Sequence, residues 1–234
     1  MIEAMMVSVA QDAIFLNQEA DAWFDRNASG ATTAAPPEDR VLQALKHVKL
    51  PNEGVLLDVG GAAGRLAAGF QREYPEWACR VIEPSAKAIA AGQVAFPQIE
   101  FCQGSITQPE GLSSTSVVDL VIVAGVFCLV DRSLLSRALC NVDLALKDGG
   151  FLVIADFDSP SLRANAYKHQ AGVYTYKQDY AEIFRQLGTY HIIYRLSENL
   201  ADLSSSDLTD TYDRQWVTTV LKKDIQGRYF KRSA

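Results

Sequence analysis

With 234 residues and 48% hydrophobic content, the chain is long enough for one α/β domain with decorations and has the apolar material for a substantial core. A formal net charge of -6 without a dense Lys/Arg stripe argues against a salt-dependent nucleic-acid binder. No run of about 18 apolar residues appears, and the N-terminal MIEAMMVSVAQDAIF carries acid and glutamine where a secretory signal would carry Lys or Arg, so the expectation is a cytoplasmic protein without a membrane span.

In chain order, a helix is predicted over 9–25, carrying Ile14, Phe15, Trp23 and Phe24 and too short to fold alone. ASGATTAAPPED at 28–39 reads as a linker, which sets an N-terminal segment of 1–37 apart from a main domain of 38–234. Val41, Leu45 and Val48 recur at helical spacing until Pro51 stops the pattern. Strands are then predicted at 54–59, 78–83, 98–102, 117–124 and 151–155, with helices at 64–73, 85–94 and 132–146 between them. Gly149-Gly150 reads as the stop of the last of these helices. Near-continuous apolar strands alternating with helices mean a doubly wound, mainly parallel sheet covered on both faces.

After the fifth strand the pattern changes. DFDSPSLRANAYKHQAGVYTY at 156–176 is aromatic, basic and small, and a connection of this length is expected to form a substrate-side insertion at about 157–177. A helix at 177–187, a strand at 190–196, a polar stretch with Ser204-Ser205-Ser206 and a strand at 215–222 complete the chain. The last two strands follow without a well-marked helix, which suggests an antiparallel final strand in a seven-stranded sheet. Cys79, Cys102, Cys128 and Cys140 form no CxxC pair and are read as buried free thiols, with no metal site.

The most informative stretch is VLLDVGGAAGRLA at 55–67, where an apolar strand ends in Asp58 and a tight turn of small residues opens a helix. Such a turn presents backbone N–H groups to a nucleotide-like cofactor. Here the chain resembles the class I, seven-stranded S-adenosylmethionine-dependent methyltransferases over about 38–222. Asp58, Gly60, Gly61, Ala62 and Gly64 match the family's first motif, with Ala62 at the place of its middle glycine. Glu83, nineteen residues after Gly64 and followed by Pro84, stands where the family's ribose-binding acid ends strand two. The resemblance places Gly104, Ser105 and Ile106 beside the adenine, serine replacing the usual acid, and Ala124, Gly125 and Val126 along the methionine part. A dinucleotide-binding oxidoreductase fits less well, because Gly-x-Gly-x-x-Gly fails from both Gly60 and Gly61. A cofactor-binding module without turnover is the other alternative.

The resemblance implies methyl transfer to a small molecule, with S-adenosyl-L-methionine as cofactor and no nucleic acid as partner. The segment after strand four lacks the Asn/Asp-Pro-Pro-Tyr of family members acting on amines of nucleic acids and proteins, so O-methylation of a hydroxylated or sugar-like acceptor leads. Residues 165–184 and 19–27 look similar to methyltransferases of surface-polysaccharide biosynthesis. His169 is the candidate base, with Asp156 and Asp158 to orient it or act directly, and Arg26 is expected to face the cofactor carboxylate. The sequence leaves open whether the N-terminal helix is a lid or the contact of a homodimer.

Overall fold

A computed structural model describes residues 11–108, 118–199 and 215–228. Ser204-Ser205-Ser206, and residues 9, 10 and 117 of the expected elements, lie outside the described residues. One sheet of seven strands organises the domain: β1 (Gly54–Val59), β2 (Trp77–Glu83), β3 (Glu100–Gln103), β4 (Val118–Ala124), β5 (Leu146–Phe157), β8 (Tyr190–Asn199) and β9 (Gln215–Lys223). Between β5 and β8, β6 (Arg163–Ala166) and β7 (Tyr174–Lys177) form a separate two-stranded hairpin.

The order across the large sheet is β3-β2-β1-β4-β5-β9-β8. β1 to β5 run parallel to one another, whereas β9 is antiparallel to both β5 and β8. The sequence-based fold class is therefore correct, including the late antiparallel strand. Leu56 packs into the core on one face of β1 and Leu57 into the core on the other, both without solvent exposure. Burial on both faces is why these strands read as continuous apolar runs rather than alternating ones.

Helices flank the sheet: α3 (Arg40–Leu45), α4 (Arg65–Glu73), α5 (Ala86–Ala95), α6 (Leu135–Ala145) and α7 (Tyr180–Gln186), with the short α8 (Ile225–Arg228) last. Val41, Leu42 and Leu45 of α3 and Phe70 of α4 join the core of one face. Ala138 and Val142 of α6 and Phe184 of α7 join the other. N-caps match their chemistry: Asp39, Ser85 and Asp179 accept from the amides of Val41, Ala88 and Glu182 at the starts of α3, α5 and α7.

Ahead of the sheet, α1 (Gln11–Ile14), a π-helical turn at Phe15–Glu19 and α2 (Ala20–Asn27) run on from one another. The segment 28–39 is docked rather than loose, since the amide of Ala35 donates to Arg65 O (2.9 Å) and Arg72 Nη2 to Ala35 O (2.8 Å). Ala35 is fully buried, and a Cβ at Gly69 of α4 would sit 2.7 Å from its carbonyl oxygen, so the glycine permits this approach.

Several boundaries differ from expectation, most informatively around the fifth strand and the helix after the hairpin. α6 ends at Ala145, and Leu146 turns directly into extended geometry and pairs with Val118, so Gly149-Gly150 lies inside the irregular start of β5 instead of stopping a helix. A register shift between Val118 and Leu120 accommodates that entry. α7 begins at Tyr180, because Lys177 closes the β6–β7 hairpin and Asp179 is the cap. Of the cysteines, Cys79 and Cys128 are buried, whereas Cys102 is half-buried and Cys140 exposed.

Candidate cofactor site

The turn after β1 is built from three left-handed residues: Gly60 (φ +69°), Ala62 (φ +49°) and Gly64 (φ +82°). Gly60 donates its amide to Ile82 O at 2.7 Å, which ties the turn to β2. A Cβ on Gly60 would fall 2.5 Å from Val126 Cγ2, and one on Gly64 2.8 Å from Phe101 Cζ. Those glycines are thus demanded by both conformation and space. Ala62 is the only non-glycine residue at positive φ among the described residues. An L-side chain there is strained by about 1 kcal/mol or more.

Glu83 ends β2 and is 6% exposed. Its Oε2 accepts the amide of Ala62 and its Oε1 the amide of Ser85, each at 2.9 Å. Two fixed amides orient the carboxylate, and each oxygen keeps lone-pair capacity for a further donor. Burial pushes its pKa up to about 7, partly offset by the Ser85 and Ala62 amides. Asp58 lies beneath the turn, 1% exposed, and its oxygens meet no donor in good geometry among the described residues. Burial first and Glu83 second push its pKa up to about 7, against a weak offset from the Ala67 amide. A Cβ on Gly61 would lie 2.6 Å from Asp58 Oδ2, so the turn sits directly on this acid.

Above the C-terminal strand ends opens a cavity of about 280 Å³. Its floor and walls include Gly60, Glu83, Pro84, Gly104, Ser105 and Ile106, with Ala124 at the end of β4 and Gly125 and Val126 after it. Asp12, Phe15, Leu16, Ala20 and Trp23 of the N-terminal helices roof it. Several bonds hold that roof. Gln11 Nε2 donates to Leu129 O (2.7 Å) and Tyr174 O (2.9 Å), its Oε1 accepts the Tyr174 amide (2.9 Å), and Asp21 Oδ1 accepts from Ser85 Oγ (2.6 Å). Phe24 packs with Ala63 and Ala88, joining the helix to the turn and to α5.

Most of the residues singled out from the sequence for the cofactor converge on this cavity. Asp58, Gly61, Ala62 and Gly64 do not line it; they shape the turn behind Gly60. Arg26 does not line it either: it pairs with the buried Glu19 and donates to Tyr167 Oη at 3.4 Å. None of the three candidate catalytic groups lines this cavity, although Asp156 and Asp158 share a small cleft beside Tyr180 and Arg195. His169 packs edge-on against Tyr167, with ring centroids 5.3 Å apart. Asp156 is buried and accepts the amides of Cys128 (3.2 Å) and Phe157 (2.7 Å), and Asp158 pairs with Arg195 at 3.1 Å. Neither Asp lines the cavity.

Among the lining residues that sequence reasoning overlooked are Asp12, Leu16, Ala20, Leu129, Val130 and Trp216. The first three were legible, because 12, 16 and 20, with 15 and 23, recur at intervals of three or four on one helical face. A second cavity, of about 360 Å³, lies beyond Ala124 and Trp216, which line both; Glu38, Asp39 and Arg40 border it.

The sheet order and the placement of a glycine turn, a strand-end acid and an apolar cleft on its C-terminal edge define a class I nucleotide-cofactor enzyme fold. The sequence model of a family described as a methyltransferase domain matches residues 56–150. Residues 56–150 thus match a methyltransferase domain, and they are set in a Rossmann-like seven-stranded sheet, the architecture of the class I S-adenosylmethionine-dependent methyltransferases. None of the curated proteins compared matches the sequence. Among solved structures, the chain is similar to a 1,6-didemethyltoxoflavin-N1-methyltransferase from Burkholderia thailandensis with bound 1,6-didemethyltoxoflavin and S-adenosylhomocysteine (TM-score 0.65, 14% identity, 91% of this chain and 88% of that one). It is also similar to the N-methyltransferase NodS from Bradyrhizobium japonicum with S-adenosylhomocysteine (TM-score 0.54, 17% identity, 85% and 97%). A third likeness is to the StiE O-MT, residues 961–1257 (TM-score 0.56, 14% identity, 80% and 73%). At these identities the likeness is one of fold. Among the described residues, no helix is long and apolar enough to cross a membrane.

Proposed function

We propose that the chain transfers a methyl group from S-adenosylmethionine to an acidic hydroxyl of a small molecule. The observation that carries this reading is the roofed apolar cavity whose wall holds Glu83, clamped by the amides of Ala62 and Ser85 with acceptor capacity to spare. A ribose offers two hydroxyl donors to such a carboxylate. With the ribose on Glu83 at the end of β2, the base lies toward β3 at Gly104–Ile106, and the methionine part lies over Gly60 and Ala124–Val126. The cofactor supplies a methyl already activated on a sulfonium, so the protein's work is alignment and exclusion of water.

The N-terminal segment, 1–37, acts as lid and linker in this reading, and the insertion at about 157–177 faces the acceptor. No histidine lines either cavity. A sugar hydroxyl of high pKa needs a base, for which the second cavity offers the carboxylates of Glu38 and Asp39, the latter paired with Arg65, whereas an acidic, phenol- or enol-type hydroxyl needs none. The same observation favours a second reading, a neutral amine, which also needs no base. Fold neighbours named as N- and as O-methyltransferases accord with either reading.

Calorimetry with S-adenosylhomocysteine, followed by mass spectrometry of a phenol, enol, sugar and amine panel incubated with S-adenosylmethionine, tests the proposal. Cofactor binding with methylated phenols or enols supports it. Methylation confined to sugars or to amines would overturn the acceptor, and absence of binding at millimolar ligand the whole reading.

A further inference from the structure

The sequence after β3 carries Ser105 where a base-binding acid is expected, yet the folded chain brings a carboxylate to that place from the N-terminal roof. Asp12, on α1, lines the cavity together with Ser105 and Ile106. Its Oδ2 accepts from Thr107 Oγ1 at 2.8 Å. Ser105 Oγ and Thr107 Oγ1 lie 3.0 Å apart, and both residues are buried.

Counting protons fixes the direction of this chain. Thr107 has one hydroxyl proton and gives it to Asp12, because a carboxylate can only accept. The Ser105 hydroxyl must therefore donate to Thr107 Oγ1, while Ser105 Oγ also accepts the Thr107 amide at 3.3 Å. Two of the serine's hydrogen-bonding positions are spent within the chain, which ends at Asp12. The second carboxylate oxygen, Oδ1, has no hydrogen bond among the described residues.

Resting on the cofactor reading above, the geometry points to Asp12 as the acceptor for the exocyclic amine of the adenine, so that base selection is made by the roof helix and not by the segment after β3. An adenine presents an N–H donor at its 6-position, and a 6-oxo purine presents a lone pair there, which a carboxylate repels. The roof thereby recognises the nucleoside it covers. Asp12 is a specificity-determining residue in this scheme, remote from the transferred methyl.

The test compares S-adenosylhomocysteine with its 6-oxo counterpart, S-inosylhomocysteine, by calorimetry on the full chain. The wild type should prefer the adenosyl form by roughly 10- to 100-fold, the scale of a charged hydrogen bond made or lost in a partly buried site. Asp12→Asn, which can still accept from Thr107, should lower that preference about tenfold or more with an unaltered melting temperature. Thr107→Val loosens the seat but keeps the carboxylate and should retain the preference. Overturning results are an Asp12→Asn chain that keeps the wild-type ratio, or a Thr107→Val chain that loses it as fully as Asp12→Asn. If the wild type binds neither nucleoside, the cofactor reading itself fails, a result distinct from either of these.

Discussion

The amide of Ala62 donates to Glu83 Oε2 at 2.9 Å, joining the strained residue of the β1 turn to the carboxylate that ends β2. A backbone donor in the left-handed region and an acid one strand away thus hold each other in place. Substituting glycine at the family's usual position separates the two contributions. Ala62→Gly keeps the amide and removes the Cβ, which relieves strain of about 1 kcal/mol while adding conformational entropy to the unfolded chain. The net expectation is a gain of about 0.5–1 kcal/mol in thermal or denaturant unfolding, with cofactor affinity within about twofold. A clear loss of stability would show that the alanine methyl makes a contact worth more than the strain.

Glu83 gives cofactor binding a pH dependence of defined sign. Burial raises its pKa to about 7, and ribose hydroxyls need the ionised form as acceptor. Affinity for S-adenosylhomocysteine should therefore weaken as pH falls through about 7, by up to about tenfold per unit below it. Glu83→Gln should bind more weakly by about 1–3 kcal/mol at pH 8 and show a flatter profile. Calorimetry at pH 6, 7 and 8 on both proteins measures it, and an unchanged slope in the variant would move the titration to another group.

Asp58 acts on stability. Its folded-state pKa of about 7 lies above the ordinary value of 3.8, so between those limits the folded chain holds a proton that the unfolded chain has released. Stability contributed here is greatest at low pH and falls as pH rises across that window. Asp58→Asn removes the ionisation and should be more stable than wild type at pH 8 by about 1–3 kcal/mol, with the gap narrowing at pH 5. Melting curves at the two pH values decide it, and a variant that loses stability at pH 8 would reveal a donor to the carboxylate.

His169 is expected to be dispensable for chemistry. It packs against Tyr167 and lines neither cavity. His169→Ala should keep turnover of a verified acceptor within about twofold, as a surface substitution away from the reacting atoms does. A drop of about a hundredfold with cofactor binding intact, the scale of a lost general base, would restore it as the base expected from sequence.

Local order along the chain determined the sheet, its helices and the cofactor turn. Asp58 and Glu83 lie on two consecutive strands of a βαβ unit, with Gly60 and Gly64 in the turn after the first, and their spacing alone puts the turn beside the acid. Near-continuous apolar runs announced strands buried on both faces. The lining residues at 104–106 and 124–126 followed because each lies just beyond a parallel strand, on the same edge.

What belongs to long-range packing stayed out of reach. Asp12 meets Thr107, Gln11 meets Leu129 and Tyr174, and Trp216 reaches the cavity from the last strand, all across sequence separations near or above a hundred residues. The burial of Asp58 and the commitment of Asp156 to the Cys128 amide were equally invisible, since an acid in a sequence reads alike whether it meets water, a backbone donor or a ligand. Periodicity specifies which face of a helix is apolar, but the partner of that face is chosen only when the chain closes, because hydrophobic burial has no address while hydrogen bonds and close contacts do.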